Sequence, residues 1–184
     1  MRREARPLLR SGLFALRTVA QRPHPMSSPD PAILILRDPR ESTKKCSLTP
    51  LRGKPGVVFQ SYYRDRRIEA GGRVLLDPEG APFTEADRGR GLFLIDCSWR
   101  RVGQLQETVD GEVERRRLPE LETAYPRKSR IFEDPATGLA SIEALFVATL
   151  LLGEPRLDLL DEYRWRTAFL ETNAERLAEL GFHP

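Results

Sequence analysis

Apolar residues in the first half of the chain come in short, unbroken runs. Ala32-Ile33-Leu34-Ile35-Leu36, Val57-Val58-Phe59, Val74-Leu75-Leu76 and Leu92-Phe93-Leu94-Ile95 are each bounded by polar or turn-forming residues. None alternates apolar with polar, so each reads as a strand buried on both faces, the pattern of a parallel α/β sheet. Gly71-Gly72 turns the chain before the third run, and residues 83–88 predict a short helix with Thr84 near its start. The order strand, loop, strand, helix, strand predicts an α/β fold.

Past Pro119 the pattern becomes helical. Ser141 is placed to cap a helix over 142–152 that is apolar nearly all round and therefore buried, with Glu143 in its first turn and Gly153 and Pro155 stopping it. Residues 157–163 and 165–180 supply the remaining helical matter, the latter with Trp165, Phe169, Leu177 and Leu180 near one face. A boundary near Arg117 divides the chain into an α/β part, 30–117, and a helical part, 118–184. Residues 1–29, Arg-rich and ending in Arg22-Pro23-His24-Pro25, read as a disordered leader, or as sequence upstream of a start at Met26.

A chain of 184 residues can bury a substantial core in one domain, or in one with a smaller appendage. The run 142–152 is the longest apolar stretch, contains Glu143, and falls far short of the roughly 20 residues a membrane helix needs. Net charge is +3. Its source matters, because residues 1–29 hold six Arg and one Glu, leaving 24 basic and 26 acidic groups in residues 30–184. Any nucleic-acid surface must then arise from local clusters: Lys44-Lys45 with Arg52 and Lys54, Arg64 to Arg67 beside Tyr62-Tyr63, Arg115-Arg116-Arg117, and Arg127-Lys128-Ser129-Arg130. Such runs are most often solvated faces.

Cys46 and Cys97 have no metal-ligand spacing and fit reduced thiols of a cytoplasmic protein. His24 and His183 lie near the two ends, which argues against a histidine-based nucleophile system or a His-ligated metal. No G-x-G-x-x-G and no phosphate-cradling G-x-x-x-x-G-K occurs.

Polar groups cluster abruptly after Ile95, in Asp96-Cys97-Ser98-Trp99-Arg100. Ligands of open α/β sheets bind beyond the carboxyl ends of strands, which makes Asp96, an acceptor, and Trp99, an N–H donor on a flat body, the candidate functional residues. A strand ending in Asp is also how a turn cap looks, and a Trp there also suits a core.

Several segments together resemble the RNA aminocarboxypropyltransferases, the small-subunit rRNA enzymes and their DTW-domain relatives that act on tRNA. Lys44-Lys45-Cys46-Ser47 is similar to the family's lysine-cysteine-threonine loop, Val74 to Pro78 followed by Ala86-Asp87-Arg88 to the stretch before the next strand, and Asp96-Cys97-Ser98-Trp99 to the rRNA enzymes' hallmark tetrapeptide. Arg117-Leu118-Pro119, Ser141-Ile142-Glu143-Ala144 and the run Phe169 to Asn173 match in the same order. The chain departs at Thr123-Ala124-Tyr125-Pro126, where the rRNA enzymes carry alanine-alanine-asparagine-proline, and in the longer charged loop that follows. That loop, with Pro39 and Glu41, leans toward the DTW relatives.

The resemblance implies a SPOUT-like knotted, mostly parallel sheet with a helical C-terminal domain, making 30–117 the cofactor-binding domain. It implies S-adenosyl-L-methionine as cofactor, with the 3-amino-3-carboxypropyl group moved to a uridine-type base of structured RNA, rRNA or tRNA, and methylthioadenosine released. Asp96 and Trp99 are then the expected catalytic residues, and Ser47, Phe93, Trp99, Leu118 and Ser141 the cofactor contacts, with no metal and no membrane. A monomer is expected. Two other readings stand beside this one: a non-catalytic RNA-binding or ribosome-assembly protein, and a SPOUT-type RNA methyltransferase.

Overall fold

In the computed structural model, which describes residues 32–43, 46–111, 113–126 and 138–183, strand β1 (Ile33–Arg37) is buried at all five positions. It is buried because it has a partner on either side: β2 (Val57–Ser61) pairs with one edge and β5 (Leu92–Asp96) with the other, both parallel. β4 (Val74–Pro82) adds beyond β5, and β7 (Arg115–Arg117) closes that edge, giving a five-stranded parallel sheet in the order β2-β1-β5-β4-β7. A separate two-stranded ladder joins β3 (Ile68–Glu69) to β6 (Val109–Asp110).

The unbroken apolar runs are explained by two cores, one on each face. Ile33, Ile35, Leu92, Leu94 and Val74 point to the larger, and Leu34, Leu36, Phe93 and Leu75 to the smaller, the period of two that a strand imposes. The larger core also takes Ile142, Leu145, Phe146 and Val147 of helix α2 (Ser141–Leu151), Phe169 of α3 (Arg166–Thr172) and Leu177 of α4 (Ala174–Glu179). The short helix α1 (Val102–Gln106) sends Leu105 into the smaller core.

Three expectations change in detail. The predicted helix over 83–88 is a single 3₁₀ turn, Glu85–Asp87, held by Asp87 accepting from the backbone N–H and the hydroxyl of Thr84 at 2.8 and 3.0 Å. Residues 165–180 are two helices, because Asn173 breaks the run: its side chain turns back to the carbonyls of Phe169 and Glu122. Ser141 does not cap α2. It is the first helical residue, Ala140 stands at the cap, and the Glu143 carboxylate accepts the Ala140 N–H at 2.8 Å from inside the first turn. Gly153 ends that helix at φ +81°, as its place in the sequence predicts.

The arginine run 115–117 forms a sheet edge whose outer side chains lie at the surface, Arg115 and Arg117 being exposed and Arg116 half-buried. Arg116 pairs with fully buried Asp87 at 2.8 Å, Arg115 approaches Asp77 at 3.4 Å, and Arg117 donates to the Gly80 carbonyl at 2.9 Å. β4 bulges between Leu76 and Ala81, and Gly80 there comes so near β7 that a Cβ would lie 2.7 Å from Arg115 backbone. Lys44-Lys45, the 127–130 cluster and residues 1–29 lie outside the described residues. No helix among the described residues is long and apolar enough to cross a membrane.

Candidate active site

Parallel register sets the site. Arg37 is level with Ser61 on one side and with Asp96 on the other, so three strands end side by side and their exit loops share one rim. The odd positions of β1 and the even positions of β5 face the larger core, which places Arg37 and Asp96 together at its upper margin.

They meet there. Arg37 Nη1 donates to Asp96 Oδ2 at 2.8 Å, with side chains only 7% and 14% exposed. The same nitrogen donates to Cys46 Sγ at 2.7 Å, Arg37 Nη2 donates to the Glu41 carbonyl at 3.2 Å, and the Cys46 thiol lies 3.6 Å from Asp96 Oδ2. One guanidinium thus fastens the loop after β1 to the end of β5. Burial pushes the Asp96 carboxyl above its ordinary range, partly offset by the Arg37 charge, the Cys46 bond and more distant Arg52. Burial works against the Arg37 charge as well, yet its contacts with Cys46, Asp96 and Glu41 prevail and hold the guanidinium more firmly protonated.

Both Asp96 contacts fall on Oδ2. Among the described residues Oδ1 has no hydrogen bond, so it is the oxygen free to accept a proton or face a cation. Beside it, Cys97 turns toward the smaller core, and burial together with Asp38, Glu41 and Asp96 pushes its thiol up to about 12, which makes it inert as a nucleophile near neutral pH. Asp38, almost fully buried, is paired with Arg101, which ties the two exit loops together once more.

Trp99 opens the 3₁₀ turn Trp99–Arg101 and is 58% exposed, its indole N–H making no hydrogen bond among the described residues. An exposed donor on a large flat ring just past the end of a central strand is unlike a core tryptophan. Ser47 follows Cys46, half-buried; Leu118, half-buried, packs on the larger core just past β7; Ser141 is half-buried where α2 begins. Phe93 is fully buried in the smaller core, on the face away from Asp96, and its strand is paired with β1 on one side and β4 on the other, so the structure does not bring it to the Asp96 side. No hydrogen bond joins Trp99, Leu118 or Ser141 to the trio of Arg37, Cys46 and Asp96 among the described residues.

Sequence reading passed over Arg37 and Glu143. Arg37 was visible as a cation closing one buried run where Asp96 closes another. Glu143 was visible as the one carboxylate inside a helix otherwise apolar all round. Glu143 is fully buried and accepts four hydrogen bonds, from Thr123 Oγ1 at 2.6 Å, the Ala124 N–H at 3.0 Å, the Ala140 N–H at 2.8 Å and the Tyr163 hydroxyl at 2.8 Å. It fixes the 121–125 segment against the start of α2, where Ser141 lies. Burial, reinforced by the Glu143 acceptor, drives the Tyr163 phenol well above its ordinary range, so it stays a donor. No cluster of His, Cys, Asp or Glu suited to a metal occurs among the described residues.

The donor set fits S-adenosylmethionine: an unused indole N–H for its carboxylate, an open carboxylate oxygen for its ammonium or sulfonium side, and the half-buried apolar surface of Leu118 for its adenine.

Comparison with known proteins places the chain in a family. The family model described as "Ribosome biogenesis protein, C-terminal" matches residues 74–181. The 16S rRNA aminocarboxypropyltransferase of Vulcanisaeta distributa is 30% identical over 155 residues, covering 80% of each chain, and that of Methanopyrus kandleri is 34% identical over 113 residues, 58% of this chain and 64% of the relative. The solved structure of the SAM-dependent rRNA:acp-transferase Tsr3 from Vulcanisaeta distributa superposes with a TM-score of 0.62 at 29% identity, over 80% of this chain and 81% of that one. A family model spanning more than half the sequence and a relative alike across four fifths of both chains show that this protein belongs to the 16S rRNA aminocarboxypropyltransferase family.

Proposed function

We propose that this protein transfers the 3-amino-3-carboxypropyl group of S-adenosylmethionine to a ring nitrogen of a uridine-type base in structured RNA. Small-subunit rRNA is favoured over tRNA, since the relatives are named for 16S rRNA. The observation that carries the reading is the division of labour on Asp96: Oδ2 is engaged by Arg37 and Cys46, while among the described residues Oδ1 has no hydrogen bond and neither has the indole of exposed Trp99, three positions on.

The bound sulfonium supplies an already activated carbon, so the protein's task is positioning. Trp99 Nε1 donates to the amino-acid carboxylate and turns that chain toward the RNA. Asp96 Oδ1 accepts the imide proton as the base nitrogen forms its bond to the methylene, the carbon–sulfur bond breaks, and methylthioadenosine leaves as a neutral thioether. Arg37 holds the Asp96 carboxyl in place and favours its ionised form, opposing part of the rise that burial imposes. Leu118 covers the adenine, and Ser47 and Ser141 meet polar edges of the nucleoside. We further infer that the sheet carries a SPOUT-like knot, a reading supported by its all-parallel order with β5 between β1 and β4, and that residues 118–184 form a helical domain closing over a cofactor-binding domain of residues 30–117 in a monomer.

Mixing the purified protein with S-adenosylmethionine and bulk cellular RNA tests the reaction. Methylthioadenosine is the expected product. Adenosylhomocysteine would replace the proposal with methyl transfer, and RNA binding without either thioether would leave a non-catalytic assembly protein.

A further inference from the structure

The loop after β2 leaves the sheet at the same rim as the active site. Ser61, Arg37 and Asp96 stand in register on neighbouring strands, which places the end of β2 about 10 Å from the end of β5 at normal strand spacing. This loop is fastened to the site at its base. The Tyr62 N–H donates to the Arg37 carbonyl at 2.8 Å, and the buried Tyr62 ring lies 5.6 Å from the guanidinium of Arg101, the residue that pairs with Asp38.

The next residue faces outward. Tyr63 is 51% exposed and, with Trp99, is one of two largely exposed aromatics among the described residues. Arg66 lies over its ring at 5.1 Å, and together with Asp65 and Arg67 the pair lines a surface depression of about 480 Å³. Arg67 is consumed in holding the loop, bonded to Asp110 at 2.8 Å and to the carbonyl of Glu107 at 2.5 Å. Arg64 and Arg66 are exposed and have no carboxylate partner among the described residues, and neither does Arg40 in the neighbouring loop after β1. Arg37, Arg67, Arg88, Arg90, Arg101, Arg115 and Arg116, by contrast, are neutralised by ion pairs within the protein. Cations left unneutralised around an exposed aromatic face are what phosphate contact and base stacking require.

We infer that Tyr63 and Arg66 form a stacking site for an unpaired nucleobase of the substrate RNA adjoining the target nucleotide, with Arg64 and Arg40 on its phosphates. The inference rests on the RNA reading above and goes further by naming where the flanking strand lies. Of the three tyrosines that the sequence places among basic clusters, only Tyr63 can serve: Tyr62 is buried, and Tyr125 packs edge-on against Trp165 at 5.0 Å.

The test is direct binding of a fluorescein-labelled single-stranded RNA about a dozen nucleotides long, followed by anisotropy without cofactor. Tyr63→Ala and Arg66→Ala are expected to weaken binding about tenfold each, Tyr63→Phe to bind like the parent, and Arg64→Ala to lower the salt dependence by about one phosphate contact. Equal affinity of Tyr63→Ala and the parent, an equal loss in Tyr63→Phe and Tyr63→Ala, or no binding by the parent would each overturn the stacking site. Methylthioadenosine release, measured separately, reports on the transferase reading, so failure of one leaves the other standing.

Discussion

Arg37 and Asp96 end adjacent parallel strands in register, and their side chains close on each other at 2.8 Å with almost no exposure to solvent. The pair is at once the clasp of the loop after β1 and the electrostatic setting of the proposed base.

Removing the clasp should therefore move the pH dependence of transfer. Burial raises the Asp96 carboxyl and the Arg37 charge opposes that rise, so Arg37→Gln takes away the opposing influence. A proton acceptor must be ionised, so activity climbs as pH rises through the Asp96 titration. In the parent this acid limb is expected above the ordinary carboxylate range, and in Arg37→Gln at higher pH still. Single-turnover rates across the acid range measure it, and an unmoved limb would separate Arg37 from Asp96 chemistry.

Asp96→Asn and Trp99→Ala should fail in different ways. Losing a general base commonly costs 10²-fold or more, so Asp96→Asn is expected to slow single-turnover transfer by about that factor with cofactor affinity largely kept. Trp99→Ala should raise the cofactor KM and misplace the reacting chain. Its unfolding midpoint should hardly change, because the ring is largely exposed. Parent-like single-turnover rates in Asp96→Asn would remove Asp96 as proton acceptor.

Glu143 is the strongest candidate for a purely architectural charge. Glu143→Ala strands four donors from three chain segments, and a loss of about 3–5 kcal/mol is expected in urea unfolding. Tyr163→Phe removes one of those bonds and should cost about 1 kcal/mol. A Glu143→Ala midpoint within error of the parent would mean the hub does not hold the 121–125 segment to α2.

Asp87 should make the fold acid-sensitive. Burial opposes its ionisation, but bonds from Arg116 and Thr84 outweigh that and hold its carboxyl below the ordinary value. A group depressed in the folded state contributes stability that is fully present above the unfolded value, about 4, and is lost as pH falls through the folded one. Asp87→Asn is expected to be less stable at neutral pH and to lose less on acidification. Urea midpoints of both proteins between about pH 2 and 7 measure the difference.

Much of this was legible in the chain. The two-sided burial of the strands around Ile35 and Phe93 follows from runs without polar alternation, and the buried helix over Ile142 from a pattern apolar on every side. Asp96 and Trp99 could be picked out because polar groups arrive together where an apolar run stops. The arginine run at 115–117 reads as a solvated face, and Arg115 and Arg117 are indeed exposed, but local pattern cannot show that Arg116 pairs with Asp87, 29 positions away. Ser141 has the residue type of a cap, while the cap bond comes from Glu143, two positions further on.

The sequence by itself determined the layers, the helices and the rim residues, since these depend on local periodicity and on which side chains must leave water. Tertiary structure alone decided the pairings: which strand lies beside which, that Arg37 meets Asp96 across 59 positions, and that Phe93 turns away from it. Periodicity acts over a few residues, whereas an ion pair between two strand ends exists only once the register of the sheet is set.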